Sequence, residues 1–420
     1  MSSPHADARP YPDDGVDGPR GRALWERADR VLPGGGIYFA RSADFAGRGT
    51  LPGFIESGRG AMVYDVDGKP YVDFLCANGP VLLGYAHPEV DEAARLQAET
   101  GRSASLYPPV LIEFCEFMVD RSPDFDWAVA AKNGSDVVGL AARVARATTG
   151  RNKIIQFAKA YHGFTPEFAL GNRGVPESHQ SEIVWVPYND AEALLGAVNA
   201  HEDDLAAIIV NPLDQNPGVD TVGASDDFVA AIGDAQRRTD VRVIVDDVRH
   251  GFRLDPLGSH RVMGLEPDLV GFGKALGNGH AIGVLMGTDE MRRGARRILF
   301  TATFCFEMVA LRAAITTVEV YDRDDALATI TRAGRRLEAG IKAAASSAGH
   351  EISWSGPPTM PSLRFVDDPD QTRGRAFSTE AARRGAIFHP SLNWFLNSAH
   401  DDATIDNAIT AAAEAFATIE

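Results

Sequence analysis

Lys274 is the residue of this sequence best suited to covalent chemistry on a carbonyl group. It follows a predicted strand, residues 268–272, and is flanked by Gly273 and Gly277, so its side chain can reach into a cleft beyond the strand end. An amine forms an imine when part of it is unprotonated, which requires partial desolvation or a nearby positive group. A solvated surface lysine is the alternative interpretation, and the glycine spacing excludes a P-loop.

An acidic pair ends another apolar stretch. Residues 243–245 are all apolar and lead directly into Asp246 and Asp247. Ligands of open α/β sheets bind beyond the carboxyl ends of the strands, so Asp246 is suited to chemistry there. The pair could instead bind Mg²⁺ or simply end the strand, although the sequence offers no third metal ligand at a useful spacing. No metal site is therefore predicted.

A polar turn at residues 132–136 opens a predicted amphipathic helix. Gly134 and Ser135 stand where the free backbone N–H groups of a helix start collect. These groups and the positive end of the helix dipole can hold a phosphate without a basic cluster. An ordinary capping turn explains the same residues equally well.

The elements that must position these residues alternate along the chain. The predicted strands are 154–157, 183–186, 205–210, 241–245, 268–272 and 281–286, and the predicted helices between them include 136–148, 190–200 and 225–238. This alternation is typical of a mainly parallel sheet with helices on both faces. A hairpin is predicted about Asp67 and Gly68. Ala-rich helices after residue 307, a strand at 362–366 and a last helix from 403 predict a smaller α+β domain.

The composition limits the class of partner. Among 420 residues, 41 Lys and Arg face 58 Asp and Glu, and the net charge of -17 repels nucleic acid and anionic membrane surfaces. Three widely spaced cysteines predict neither a disulfide framework nor a metal site, and they favour a reducing cytoplasm. Residues 1–20 lack the apolar core of a signal peptide, and no apolar run is long enough to predict a membrane span.

The phosphate turn, the acidic strand end and the glycine-flanked lysine occur in this order on successive predicted strands, and in this order they resemble the class III aminotransferases. The resemblance runs from residue 24 to the final helix and points to the branch of glutamate-1-semialdehyde 2,1-aminomutase. It implies an α/β protein of fold type I, with a large domain whose mainly parallel sheet lies between helices and a smaller α+β domain. It also implies pyridoxal 5'-phosphate as cofactor and a homodimer with shared active sites.

Four motifs carry this resemblance. The family's N-S-G-T-E-A turn is similar to residues 132–137, its Y-H-G to 161–163, its D-E-V-x-x-G-F-R to 246–253 and its G-K to 273–274. By this likeness Lys274 carries the cofactor as a Schiff base, and Asp246 keeps the pyridine nitrogen protonated so that carbanion charge delocalises into the ring. The other cofactor-binding residues that it implies are Gly134, Ser135, Tyr161 stacked on the ring, His162 of the same motif, Val248 against the ring face, Asn216 near O3′ and Thr303 reaching the partner subunit's phosphate.

Three residues are candidates for contact with the substrate. Residues 33–41 resemble the family's P-G-G-V-N-S-P-V-R, which identifies Arg41 with its carboxylate-binding arginine. A surface arginine is the alternative. Asn78 replaces the tryptophan of the aminomutase's S-W-G-P, and Asn393 follows a P-S-x motif where the aminomutase is acidic. Asn78 changes the pocket, and the departure at Asn393 weakens the case for aminomutase activity. Cys305 and Phe306 replace the usual glycine pair after Thr303 and bring bulk near the dimer-facing loop, which predicts a distinct substrate range.

The predicted function is an aminotransferase. A donor, favoured to be an amino acid, leaves its nitrogen on the cofactor as pyridoxamine phosphate, and a keto or aldehyde acceptor collects it. An intramolecular aminomutase needs the same groups but no separate acceptor, and a non-catalytic scaffold needs only the fold. The presence of Lys274, Asp246 and Tyr161 together argues against a scaffold. The predicted domains are a disordered leader 1–20, an N-terminal segment 21–75 packing with the small domain, a large cofactor-binding domain 76–310 and a C-terminal small domain 311–420.

Overall fold

The computed structural model describes residues 11–33, 43–169 and 174–420, and the chain divides into two compact units. The first unit takes the described part of Met1–His87 with Gln215–Thr221 and Ala328–Glu420. The second takes Pro88–Asp214, as far as it is described, and Val222–Leu327. The second unit therefore contains every predicted cofactor-binding residue except Asn216.

The described residues form fifteen strands and thirteen helices. In chain order, strands β1 to β15 are Ile55–Arg59, Met62–Asp65, Pro70–Asp73, Trp127–Ala131, Lys153–Phe157, Ile183–Val186, Leu205–Val210, Leu213–Asp214, Val222–Gly223, Arg242–Asp247, Leu269–Phe272, Gly283–Gly287, Ile352–Ser355, Ser362–Phe365 and Ala386–Ile387. Helices α1 to α13 are Pro19–Val31, Ala43–Ala46, Pro88–Glu99, Pro109–Arg121, Gly134–Thr149, Ala191–His201, Asp226–Thr239, Ser259–Met263, Asp289–Ala295, Met308–Arg323, Ala326–Ser347, Thr372–Arg383 and Asp402–Phe416. No helix among them is long and apolar enough to cross a membrane.

A seven-stranded sheet forms the centre of the second unit. Its strand order is β4-β12-β11-β10-β7-β5-β6, and every neighbouring pair is parallel except the two pairs that β12 makes. All six residues of β7 are buried, as expected for a central strand of a sheet that is covered on both faces. The predicted α/β class and the mainly parallel sheet are confirmed.

Both faces of this sheet carry buried side chains. Ile244 of β10 packs in the same apolar cluster as the inner side of α5, whereas its neighbours Val243 and Val245 point to the opposite face and are also buried. Helix α5 has the sequence features of a stable helix, with Asn133 as its N-cap and Gly150 in the left-handed region at its C-terminal end. Because the strands are packed on both faces, their ends, which carry the predicted site residues, are held in defined positions.

The first unit has a four-stranded sheet in the order β1-β2-β3-β15. The predicted hairpin is confirmed as β2 and β3, which pair antiparallel, and β15 adds to β3 in parallel. Residues 11–20, which belong to the predicted disordered leader, make defined contacts: α1 begins at Pro19, and the buried carboxylate of Asp17 accepts hydrogen bonds from Trp25 Nε1 at 2.9 Å and from the backbone N–H of Gly53 at 2.8 Å. These bonds tie the start of the described chain to the unit.

Helix α10 belongs to the second unit. Its residue Tyr321 donates a hydrogen bond to the backbone oxygen of Phe252 at 3.0 Å, and the backbone N–H of Met308 donates to the backbone oxygen of Arg102 at 2.8 Å. The second unit therefore includes α10 and extends to Leu327.

Candidate active site

Asp246 and Lys274 lie at the ends of neighbouring strands. β10 and β11 pair in parallel, with Asp246 opposite Gly271, and Lys274 follows two residues after β11 ends at Phe272. Lys274 begins a short 3₁₀ turn whose next three residues are buried, while its own side chain is half-buried. Because neighbouring parallel strands end at the same edge of a sheet, this edge carries both a carboxylate and a primary amine.

The buried carboxylate of Asp246 binds His162. Nδ1 of His162 lies 2.7 Å from Oδ2 of Asp246, and the backbone N–H of Val248 donates to Oδ1 at 3.1 Å. A carboxylate can only accept hydrogen bonds, so Nδ1 carries the proton of this pair. His162 follows β5, and β7 lies between β5 and β10, so the contact joins two strands that are not neighbours. The imidazole therefore fixes the orientation of the carboxylate.

Asp247 points to the opposite face of the sheet from Asp246, because successive side chains of a strand alternate. It is fully buried and accepts hydrogen bonds from the hydroxyl of Ser259 and from its backbone N–H, the latter at 2.8 Å. Burial raises the pKa of Asp247 to about 7, against the Ser259 hydrogen bonds, which lower it. Since the two carboxyl groups face opposite sides, they cannot share a metal ion.

We expect Asp247 to make the stability of the protein depend on pH. Its pKa is 3.8 ordinarily and about 7 in the fold, so between these values the folded chain holds a proton that the unfolded chain has released. The stability that this proton contributes is present below the lower value and is lost as the pH rises toward the upper one. Between about pH 5 and about pH 8, the free energy of unfolding of the wild type should therefore fall by about 2–3 kcal/mol more than that of Asp247→Asn.

Urea unfolding of both proteins, followed by circular dichroism at the two pH values, measures this difference. The lowered pKa values of His250 and His389 act in the opposite direction, but they are common to both proteins and cancel in the comparison. Equal pH dependence in the two proteins would show that Asp247 is ionised throughout the range.

Helix α5 begins at the predicted phosphate turn. The side chain of Asn133 accepts a hydrogen bond from the backbone N–H of Asp136 at 3.1 Å, and the hydroxyl of Ser135 accepts one from the backbone N–H of Phe164 at 2.9 Å. The second bond ties the helix start to the segment that carries Tyr161 and His162. A helix start leaves backbone N–H groups without partners inside the helix, which suits this position to a phosphate.

Val248 packs against both the helix start and the residue before Lys274. A Cβ atom added at Gly134 would lie 2.7 Å from Cγ1 of Val248, and one added at Gly273 would lie 3.2 Å from it. Only the glycine at 134 allows the valine this close to the phosphate turn. The side chain of Val248 therefore lies between the turn and the lysine, where a flat ring could pack on it.

Two basic residues beside the acidic strand end were not among the predicted site residues. Burial lowers the pKa of Arg249, while the charges of Asp246 and Tyr161 act in the opposite direction. Burial also lowers the pKa of His250, and the charges of Arg249 and Lys274 lower it further, so His250 is neutral at physiological pH. Their signal in the sequence was their position directly after the acidic pair and Val248.

Asn211 was also missed as a site residue. It follows β7, and its Nδ2 donates to the backbone oxygen of Asp246 at 3.3 Å. Side chains that follow two strands, His162 after β5 and Asn211 after β7, thus meet at Asp246 of β10. Its position directly after the apolar run of β7 was the available signal in the sequence.

The remaining predicted residues are Tyr161 and Thr303 of the second unit, three asparagines of the first unit, and Arg41. Tyr161 is 54% exposed, and burial raises its pKa while the charge of Arg249 lowers it; Thr303 is exposed in a turn before α10. Asn216, Asn78 and Asn393 belong to the first unit. Asn393 is buried there and donates to the backbone oxygen of Trp394 at 3.0 Å. Arg41 lies outside the described residues.

The cluster in the second unit has the chemistry that pyridoxal phosphate requires. The start of α5 offers backbone N–H groups for a phosphate, and the carboxylate of Asp246, oriented by His162, suits a protonated pyridine nitrogen. Lys274 supplies a half-buried amine at the same sheet edge. Within the described ranges, no group of three or more His, Cys, Asp or Glu side chains could hold a metal ion.

Comparison with known proteins agrees with this chemistry. The profile of the class-III aminotransferases matches residues 45–393. The chain belongs to this family. It is a pyridoxal-phosphate-dependent aminotransferase of fold type I.

Three known proteins show how far this class-III aminotransferase resembles its relatives. It is 35% identical over 412 residues to the aminopentol aminotransferase of Sphingopyxis macrogoltabida, covering 96% of this chain and 97% of that one. It is 30% identical over 424 residues to a glutamate-1-semialdehyde 2,1-aminomutase of Heliobacterium modesticaldum, covering 94% and 96%. The solved structure of the FumI protein of Sphingopyxis sp. MTA144 in its PLP internal aldimine form has a TM-score of 0.91 at 35% identity, covering 96% and 99%.

Proposed function

We propose that Lys274 is the covalent attachment point of pyridoxal phosphate and the base of an aminotransferase that moves nitrogen from an amino donor to a keto or aldehyde acceptor. The observation that carries this proposal is the parallel register of β10 and β11, in which Asp246 and Lys274 leave the sheet at one edge. The bond between His162 and Asp246 supports it, because it orients the carboxylate for a ring nitrogen.

Asp246 has the task of holding a proton on the ring nitrogen of the cofactor. His162 donates its Nδ1–H to Oδ2 and the backbone of Val248 donates to Oδ1, so both carboxylate oxygens are fixed in direction. Bound pyridoxal phosphate supplies the aldehyde that collects the amine and the ring that accepts carbanion charge. The carboxylate keeps the nitrogen positive, which makes the ring an effective acceptor.

Lys274 has the task of moving a proton at the substrate carbon. With a substrate bound, Nζ of Lys274 would accept that proton and return it one atom further along. The N–H groups at Gly134 and Ser135 would hold the phosphate, and Val248 and Tyr161 would pack on the ring. We also propose that Asn216 lies near the O3′ oxygen.

The substrate is proposed to be an amino donor that contacts Asn78 and Asn393. A relative at 35% identity is named aminopentol aminotransferase, and this name indicates an amine as its substrate. An amino acid donor remains our first proposal, with Arg41 binding its carboxylate in bidentate fashion. The Asn residues at 78 and 393 replace a tryptophan and an acidic residue of the aminomutase, which favours a different substrate.

An aminomutase is the second candidate, since a relative at 30% identity has this name. It uses the same lysine and carboxylate but returns the nitrogen to the same carbon skeleton. The two reactions differ in stoichiometry, because only an aminotransferase consumes a separate carbonyl acceptor. Product analysis with isotopically labelled donor nitrogen separates them.

We propose that the second unit, Pro88–Asp214 with Val222–Leu327, acts as the large cofactor-binding domain and that the protein works as a cytoplasmic homodimer. Leu106 is 81% exposed, Tyr107 is 74% exposed and Phe304 is 59% exposed, and the ring of Tyr107 packs edge-on against Phe306 at 5.2 Å. We call Leu106, Tyr107 and Phe304 the apolar patch. Its exposure next to Thr303 supports a partner subunit that covers it and receives the threonine at its phosphate.

We expect Leu106→Glu to convert the dimer into monomers, because a buried unpaired carboxylate opposes association. Cofactor affinity should fall in parallel if Thr303 acts in the partner subunit. Analytical ultracentrifugation measures the first effect and fluorescence titration with pyridoxal phosphate the second. Val262→Glu, at a position 63% exposed on α8, is the matched control and should stay dimeric. A wild type that sediments as a monomer would refute the homodimer.

The test of the proposed function is a spectrum followed by a donor titration. The purified protein should show a visible absorbance band with pyridoxal phosphate, and one class of amine or amino acid should bleach it. Adding a keto or aldehyde acceptor should then restore the band with release of an aminated product. A band that no amino donor bleaches would refute amino transfer from an external donor.

A further inference from the structure

Four consecutive residues of the first unit adopt a left-handed backbone conformation. The φ angles are 45° at Cys76, 55° at Ala77, 64° at Asn78 and 102° at Gly79. L-residues avoid this region because Cβ approaches the following carbonyl oxygen, and runs of it are rare. Such strained segments persist only where their surroundings determine them, and they cluster at functional positions. We call residues 76–79 the left-handed turn.

A buried carboxylate holds the start of the left-handed turn. Oδ1 of Asp73 accepts from the backbone N–H of Leu75 at 2.8 Å, and Oδ2 accepts from that of Cys76 at 3.0 Å. Asp73 is 3% exposed, and burial raises its pKa although these hydrogen bonds lower it. The backbone N–H groups of Leu75 and Cys76 thus both donate to the side chain of Asp73.

Tyr85 holds the next part of the left-handed turn. Its hydroxyl donates to Oδ2 of Asp73 at 2.6 Å and accepts from the backbone N–H of Ala77. Burial and the charge of Asp73 raise the pKa of Tyr85, so the hydroxyl keeps its proton and remains a donor. Three successive N–H groups, from Leu75 to Ala77, therefore end on the Asp73–Tyr85 pair.

The position of Tyr85 is itself fixed by the sheet. Its backbone exchanges two hydrogen bonds of 2.8 Å with Gly60, and a Cβ added at Gly58 would lie 2.7 Å from Cγ of its ring. At the other side of the left-handed turn, the Cys76 thiol donates to the backbone oxygen of Phe395 at 3.3 Å. The turn is over-determined from two directions, and its third residue is Asn78.

We infer that Asp73 and Tyr85 are positioning residues that hold Asn78 in the orientation in which it contacts the amino donor. The inference rests on the proposed function, which gives Asn78 a contact with substrate. Asparagine tolerates the left-handed region better than most residues, so the position suits a polar side chain held in one direction. A relaxed turn would orient the Asn78 amide differently and would leave the buried Asp73 without its donors.

Tyr85→Phe tests the inference directly. It removes the hydroxyl that joins Asp73 to Ala77, and we expect the KM for the amino donor to rise about tenfold. The kcat and the dissociation constant of pyridoxal phosphate should stay within about twofold, because Lys274 and Asp246 belong to the second unit. An unchanged KM, with or without a fall in kcat, would overturn the inference.

A double-mutant cycle with Asn78→Gly separates positioning from general stability. Glycine keeps the left-handed conformation but removes the amide, so this variant alone should raise the donor KM. If Tyr85 acts through Asn78, adding Tyr85→Phe to Asn78→Gly should change the KM no further. Additive effects of the two substitutions would overturn the inference. If Tyr85→Phe does not fold, Asp73→Asn enters the same cycle with the same expectation.

Tyr71→Phe is the matched control. The hydroxyl of Tyr71 donates to Oδ2 of Asp65 at 2.8 Å, a second buried tyrosine–aspartate bond in the same unit. Its loss should lower the melting temperature in a comparable way and leave the donor KM unchanged. If Tyr71→Phe raised the donor KM as much as Tyr85→Phe does, Tyr85 would act only through the stability of the unit. A wild type without amino transfer would instead refute the proposed function.

Discussion

Replacing Lys274 with alanine is expected to abolish amino transfer, with a loss of at least ~10³-fold, and to remove the visible absorbance band of the bound cofactor. The lysine is proposed as the attachment point of pyridoxal phosphate and as the base that moves the substrate proton. Arg249 near Asp246 cannot replace it, because its guanidinium stays protonated and does not act as a base. Steady-state turnover and the absorbance spectrum measure the two effects.

The fold should survive the Lys274→Ala substitution. Lys274 has a φ of 41°, and alanine meets the same backbone restriction as lysine there, so the turn gains no freedom. Lys153→Ala is the matched control. Lys153 begins β5 in the same unit, and its Nζ forms an ion pair with Glu182 at 3.2 Å. That variant should keep turnover and colour. Normal turnover in Lys274→Ala would refute the catalytic assignment.

Asp246→Asn is expected to keep the cofactor bound but to slow proton transfer by about 10²- to 10³-fold. An amide can still accept the Nδ1–H of His162, but its neutral oxygen no longer stabilises a positive ring nitrogen. Single-turnover kinetics with the amino donor measure the rate, and fluorescence titration measures cofactor affinity.

Asp247→Asn provides the control for Asp246→Asn, since Asp247 is the next residue on the same strand and faces the opposite side. Its carboxyl group binds Ser259 and not His162. This variant should retain turnover near the wild-type rate. If the two substitutions slow the reaction equally, the negative charge of the strand end as a whole, and not the carboxylate beside His162, controls the rate.

The sequence predicted the main strands and helices well, because apolar runs and capping residues are local signals. The run of β7 and the Ser225 cap of α7 appear in the structure where they were expected. The strand predicted at 241–245 extends through Asp247, so both carboxylates are strand residues with opposite orientations. The direction of β12 could not be predicted, because a buried apolar run of five residues reads the same whether its neighbours run parallel or antiparallel.

The left-handed turn shows the limit of local signals. Asn78 and Gly79 are residue types that favour a positive φ, whereas Cys76 and Ala77 are not. Their conformation depends on Asp73 and Tyr85, whose hydrogen bonds form only after the chain has folded back. The role that we infer for Tyr85 therefore had no signal in the sequence.

The sequence by itself determined the family, the order of the phosphate turn, the acidic strand end and the lysine, and the α/β class, because each of these follows from residue types in a short window. Only the tertiary structure decided which side chains meet. His162 reaches Asp246 across β7, and Asn211 joins them from the strand between. Such contacts depend on strand order, which no local pattern encodes, and strand order is fixed by the packing of the whole sheet.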